Sequence, residues 1–214
     1  MLGAPFEQAF YDFVTLIALI NPISAAAAFA TLTEGRSPQE QAQIAARAAI
    51  VAGITLIAFA FAGEALLGAL GVEIGAFKIA GGLLLLKVGF DMVFAERTQR
   101  QTVDAAKACA GPTNDPSVFP LAIPIITGPG ALTASVALVN PSPNHWLDGV
   151  TFVMVAVVVI GISYAFMRAA EVLMKWLGQT GIDAISRVVG IVVAAIAVQL
   201  IVNGISSLTN LKIH

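Results

Sequence analysis

The sequence predicts an all-α integral membrane protein. Six transmembrane helices form two inverted-topology three-helix repeats, with helices 1 and 4 broken at proline. Three observations lead there. Of 214 residues, 58% are hydrophobic and only 11% charged, whereas a soluble domain carries about a quarter charged residues. Six apolar stretches are long enough to cross roughly 30 Å of hydrocarbon, which takes about 20 helical residues. Matching residues recur in the two halves of the chain. Backbone groups in lipid must bond within their own segment, and these runs are too long and too uniformly apolar for barrel strands.

The first span runs from about Ala9 to Thr33, with Asp12 near its start. The second runs from about Ala48 to Gly71, with Glu64 late in it. The third, Ile74 to Phe94, holds Lys78, Lys87 and Asp91. The fourth, Val118 to Val139, is uncharged. The fifth begins near Gly149 and is uncharged up to Arg168; the sixth runs from about Arg187 to Leu208. Met1 to Gln8 holds no Lys or Arg, and the first apolar run is longer than a signal h-region, so the first span is expected to be retained.

Lys and Arg placement orients the spans. Arg36 and Arg47 follow the first, Arg97, Arg100 and Lys107 the third, and Arg168, Lys175 and Arg187 the fifth. The opposite side has only Lys78 and Lys212. The odd-numbered connections are therefore expected in the cytoplasm and both termini outside, in an inner (plasma) membrane. The expected domains are residues 1–95, a polar cytoplasmic linker over 96–117, and residues 118–214.

The repeat is direct to see. Ile20-Asn21-Pro22 lies opposite Thr127-Gly128-Pro129, 107 positions on. Glu64, Leu66, Leu70 and Gly71 lie opposite Glu171, Leu173, Leu177 and Gly178 at the same offset, and Lys78 and Gly81 lie opposite Arg187 and Gly190 at 109. Three spans per half reverse the orientation of the second half, a plan that recurs in secondary transporters. Pro22 and Pro129 fall inside apolar helices. Proline lacks the N–H and clashes with the preceding turn, so each marks a helix break facing protein or a watery cavity. A half-helix N-terminus carries partial positive charge and free N–H groups, which suit a carboxylate. Exposed carbonyls and Asn21 are expected to take an ammonium group. The candidate substrate-binding residues are Asn21, Pro22, Ser24, Thr127, Gly128, Pro129 and Gly130.

The chain resembles the MarC family of integral membrane proteins, within the wider LysE-type transporter group. The matching pieces are Asn21-Pro22 followed by Thr31-Leu32-Thr33, Phe77-Lys78-Ile79-Ala80-Gly81-Gly82, and Pro120-Leu121-Ala122-Ile123-Pro124 continuing into Thr127-Gly128-Pro129-Gly130-Ala131. Arg187, Gly190, Ala197, Gln199 and Gly204 match in the last helix. Ser24-Ala25-Ala26-Ala27-Ala28 departs from the pattern, where relatives more often have another proline and bulkier residues. The resemblance implies six helices in two inverted repeats and transport of small neutral amino acids such as alanine or glycine by alternating access. A non-transporting regulator or assembly partner, and a small-solute channel, are the alternatives.

Other polar residues complete the reading. Gln199 and Asn203 lie one turn apart on one face of helix 6 and are candidates for substrate contact, or for interhelical bonding. Asp91 is the candidate for coupling to H+ or Na+, set against a simple i,i+4 pair with Lys87. Glu64 with Lys78, and Glu171 with Arg187, are expected as structural clamps across short connections. No cofactor and no metal are expected, and no enzyme: there is no HExxH motif, no phosphate-binding glycine loop and no Ser-His-acid set. The single Cys109 has no intramolecular disulfide partner. A net charge of −2 gives no basic footprint for nucleic acid. The expected partners are the lipid bilayer and a small-molecule amino acid, with a homo-oligomer left open.

Overall fold

A computed structural model describes residues 3–94, 115–139 and 146–209. Its elements are α1 (Gly3–Ile20), α2 (Pro22–Leu32), α3 (Pro38–Ala69), α4 (Ile74–Val93), α5 (Ser117–Ile126), α6 (Pro129–Leu138), α7 (Trp146–Arg168) and α8 (Ala170–Thr209). All are helical. Nearly all of the expected linker, and Cys109, lie outside the described residues.

Four stretches are long and apolar enough to cross a membrane: Phe6–Leu32 (α1 with α2), Pro38–Ala69, Leu147–Arg168 and Thr180–Thr209. The pair α5 and α6, bent by 62°, makes a fifth if its halves are one span. The third expected span falls on the 20-residue α4, which is not among these. Lys78, Lys87 and Asp91 keep it out of the apolar set. Large apolar side chains cover the outside of these helices, among them Phe61, Leu66, Val157, Val188 and Ile191. Such a surface needs hydrocarbon as its solvent.

Both prolines break their helices. Asn21 separates α1 from α2, and Pro22 opens α2, where its missing N–H costs nothing. Gly128 caps α6, and Pro129 opens it. The half before that second break departs from the expected regular helix. α5 is a π-helical segment in which Phe119 and Ile123 are extended, each directly before a proline. A residue preceding proline is pushed out of the α region, so Pro120 and Pro124 dictate this winding.

The ends differ from expectation for local reasons. α3 starts ten residues before Ala48, because Ser37 and Glu40 form a capping box and Pro38 occupies the first turn. Ser37 N donates to Glu40 Oε2 at 2.9 Å, and Glu40 N donates to Ser37 Oγ at 3.3 Å. The last span begins at Thr180, because Gly178 takes φ 59° and interrupts α8. Gly71, its repeat counterpart, takes φ 69° between α3 and α4. Both turns need a left-handed residue, which glycine supplies without strain.

The helices pack in matched sets. α3 lies against α5 and α6, as α7 lies against α1 and α2; α4 packs on α6 as α8 packs on α2. α3 meets α7, and α4 meets α8 along its whole length. That last contact is a small-residue seam. Gly75, Gly82 and Gly89 run along α4 at intervals of seven, facing the Gly204, Ala197 and Gly190 levels of α8 in antiparallel order. Without side chains in the way the two backbones approach closely, the packing that helices in lipid favour.

The expected clamps do not form. Neither Glu64 with Lys78 nor Glu171 with Arg187 is an ion pair, and Glu64 Oε2 is buried without a hydrogen-bond partner. Glu64→Gln is therefore expected to leave thermal stability unchanged or to raise it, and the charge swap with Lys78 to show no coupling energy in a double-mutant cycle. A clear loss on Glu64→Gln would restore the clamp.

Arg47 and Asp115 do pair, at 2.8 Å, tying α3 to the start of α5. Partial burial works against the Asp115 carboxylate, but the Ser117 amide (3.0 Å) and the Arg47 guanidinium outweigh it and hold its pKa below the ordinary 3.8. The resulting stabilisation is full above that ordinary value and fades as the pH falls from it through the lowered folded-state value. Both side chains are largely exposed, so Asp115→Asn is expected to cost less than about 1 kcal/mol in thermal unfolding at neutral pH.

Candidate functional site

The site grows from the break at Asn21. This residue is 5% exposed and takes φ 45°, the one non-glycine with positive φ among the described residues. Asparagine tolerates this region because its short side chain bonds locally. Its Oδ1 accepts from Ser24 N at 3.3 Å and caps α2. That leaves Nδ2, which is buried and has no hydrogen-bond partner. A buried unpaired N–H is costly, and native structures rarely leave one without a reason. The free group is a donor at the positive end of a helix. It suits an anionic oxygen, while the amide oxygen, which accepts one bond in the cap, keeps a second lone pair for the expected ammonium.

The second break adjoins the first. α2 packs on α5, and α1 packs on α6, so the four half-helices cross in one place. Thr127 is 1% exposed, and its Oγ1 donates to Ala122 O at 2.8 Å, closing the end of α5. Gly128 and Gly130 are buried and Pro129 is exposed. Gly130 is not open space: a Cβ there would meet Leu85 Cδ2 of α4 at 2.7 Å. A larger residue at Gly130 would displace the Leu85 side chain of α4 rather than fill a binding space. Ser24 Oγ lies 3.3 Å from the buried Ser186 Oγ of α8, joining the first break to the last helix.

The adjacent glycines of Phe77-Lys78-Ile79-Ala80-Gly81-Gly82 serve two neighbours. A Cβ on Gly81 would collide with Thr133 of α6, and one on Gly82 would meet Ala197 O of α8 at 2.9 Å. Thr133 Oγ1 in turn donates to Pro129 O at 2.9 Å. α4 thus clamps the half-helix that follows the second break.

Three candidates lie elsewhere. Gln199 and Asn203 are exposed on the outer face of α8 and bond to each other, Nε2 to Oδ1 at 2.9 Å. The inner face of α8 is taken by the seam, through Val193, Ala197 and Gly204. Asp91 pairs with Lys87 at 3.0 Å, with side chains 30% and 67% exposed. α4 buries Gly82, Leu85, Gly89 and Met92 instead, so the pair faces outward. The structure does not bring these three residues to the breaks. Conversely, sequence reasoning missed Ser186. The hydroxyl had a signal in the sequence, lying beside Arg187 at the start of the last apolar run.

A polar cleft of about 390 Å³ opens at the far end of α2, lined by Thr33, Arg36, Gln41, Arg168 and Glu171 among others. Gln41 Nε2 reaches the Thr33 and Arg36 carbonyls at 3.4 Å each.

Comparison with known proteins gives the family. Residues 6–209 match the model of the MarC family integral membrane protein. A UPF0056 membrane protein of Methanocaldococcus jannaschii is 34% identical over 196 residues, covering 90% of this chain and 93% of the relative. The UPF0056 membrane protein YvbG of Bacillus subtilis is 31% identical over 207 residues, 95% of this chain and 96% of its own. One from Buchnera aphidicola is 31% identical over 202 residues, 94% and 93% of the two chains. No solved structure matches the chain. With a family match over nearly its full length and relatives of equal extent, the chain belongs to the MarC family of integral membrane proteins.

Proposed function

We propose that this protein is a secondary carrier of small neutral amino acids, of alanine or glycine size, in the cytoplasmic membrane. The observation that carries the reading is Asn21 Nδ2: a buried, unpartnered donor at the head of a half-helix, where a second broken helix crosses. The substrate carboxylate would take that donor and the positive end of α2. The residues that follow, Ala25 to Ala28, are small and buried, which lets neighbouring helices approach the crossing closely.

Six spans in two inverted repeats supply the motion. α4 is the sixth span, its 20 residues reaching about 30 Å at 1.5 Å per residue. The matched packing sets and the left-handed glycines at Gly71 and Gly178 support a two-fold relation between the halves. Rocking one half against the other would open the crossing alternately to each side, a recurring transporter mechanism. On the cytoplasmic side the polar cleft at the end of α2 is the mouth of the path.

Purified protein in proteoliposomes should exchange labelled alanine or glycine in counterflow, saturably. Flux that does not saturate would make it a channel, and no flux would make it a partner protein. Orientation has its own test. Single cysteines at Gln99 and Asn144, in a Cys109→Ala background, should label from opposite faces, with Gln99 cytoplasmic. Labelling of both from one side overturns the six-span arrangement.

A further inference from the structure

The carrier reading leaves Asp12 unused, the one acid among the described residues whose whole side chain is buried. Asp12 lies inside the Phe6–Leu32 span and is 1% exposed. It shares the inward stripe of α1 with Thr15, Leu16 and Leu19, at helical spacing. Its hydrogen bond is to a neutral donor, Gln8 Nε2, at 2.8 Å. Among the described residues no Lys, Arg or His pairs with it.

Among the described residues, the elements packed on α1 bring no positive charge to Asp12. α1 packs on α6, α7 and α8. α6 has no titratable side chain. α7 brings another acid, Asp148 in its first turn, within electrostatic reach. On α8 the charged residues are Glu171, Lys175, Asp183 and Arg187. They lie at or before the level where Ser186 meets Ser24, about 18 Å along the helix from Asp12. On α1 itself Glu7 and Tyr11 are exposed.

An ionised carboxylate buried at membrane depth without a cation is expensive, and such residues mark ion or proton pathways. A bound proton removes the charge. A metal cation fits poorly: the neighbour that Asp12 bonds is an N–H donor, and among the described residues no group of three or more His, Cys, Asp or Glu exists.

We propose that Asp12 is the proton site that couples transport to a proton gradient, an inference that rests on the carrier reading above. The carboxylate takes one proton from water on one side while its surroundings are open. It is carried neutral while they are closed, and it returns the proton to water on the other side. No other reactant is consumed. Asp12 lies about 13 Å from Asn21 along the helix, so it acts through the opening and closing of the crossing and not as a substrate ligand.

The test uses wild type and Asp12→Asn in proteoliposomes. It has three readouts: labelled-alanine counterflow, accumulation driven by an imposed pH gradient, and the infrared C=O band of a protonated carboxyl. Exchange should persist in Asp12→Asn, gradient-driven accumulation should be lost, and the wild-type carboxyl band should be missing. Accumulation equal to wild type, an unchanged band, or wild-type accumulation that needs Na+ in place of the pH gradient would overturn the proposal. Absence of wild-type counterflow overturns the carrier reading itself, a result distinct from exchange that continues without coupling. If Asp12→Asn does not insert, Asp12→Glu decides: a displaced pH profile for accumulation supports the site, and an identical profile overturns it.

Discussion

Asn21→Gly should fold, insert and bind its substrate far more weakly. The substitution separates two roles that Asn21 combines. Glycine accepts φ 45° without strain and is itself an acceptable N-cap, so losing the Ser24 bond costs only about a few tenths of a kcal/mol. What vanishes is Nδ2, the unpartnered buried donor. A hydrogen bond to a charged group is worth about 1.5–3 kcal/mol, and 1.4 kcal/mol is tenfold in binding. Alanine affinity in counterflow should therefore fall by roughly ten- to a hundredfold at unchanged thermal stability. Asn21→Ala is the less informative variant, because a Cβ in the left-handed region adds about 1–2 kcal/mol of strain. Wild-type kinetics in Asn21→Gly would remove Asn21 from the site, and with it the observation on which the carrier reading stands.

Much of the fold was legible in the sequence because membrane burial writes long apolar runs, and proline writes breaks. Asn21-Pro22 and Gly128-Pro129 mark the two interruptions, where a backbone rule acts locally. Side-chain placement was not legible in the same way. Gln199, Asn203 and Asp91 are polar residues in apolar helices, and only the choice of buried face decides their role. That choice belongs to tertiary packing: the α4–α8 seam turns Ala197 and Gly204 inward, which leaves Gln199 and Asn203 outward. Asp12 shows the reverse. It stands near the start of a span and was given no role, yet the stripe of Thr15, Leu16 and Leu19 carries it inside. Charge count alone cannot tell these cases apart; helical phase against a neighbour can. The winding of α5 was half legible, since Pro120 and Pro124 stood in plain view within a run expected to be regular.

Gly204→Ala should destabilise the protein, while Gly53→Ala should stabilise it, although both change one helical glycine into the best helix former. The intrinsic preference is the same at both positions, about 0.5–1 kcal/mol in favour of alanine. At Gly53 a Cβ meets nothing within 4 Å, so the preference acts unopposed. At Gly204 the new Cβ would lie 2.7 Å from Gly75 O and 3.0 Å from Ile79 N, both backbone atoms of α4. A side chain could rotate away; a helix backbone must move as a body. Separating α4 from α8 at this level also loosens the neighbouring levels, where Gly82 faces Ala197 O and Gly89 faces Ala194 N. Overpacking of this kind costs about 1–3 kcal/mol, which exceeds the gain in propensity. The melting temperature of purified protein should fall for Gly204→Ala and rise for Gly53→Ala. A second substitution, Gly75→Ala, should add little once Gly204→Ala has already parted the seam, since adjacent sites in one contact are not additive. Equal rises for Gly204→Ala and Gly53→Ala would mean that α4 and α8 do not meet along this seam, and the account of Gly75, Gly82, Gly190 and Gly204 would fall with it.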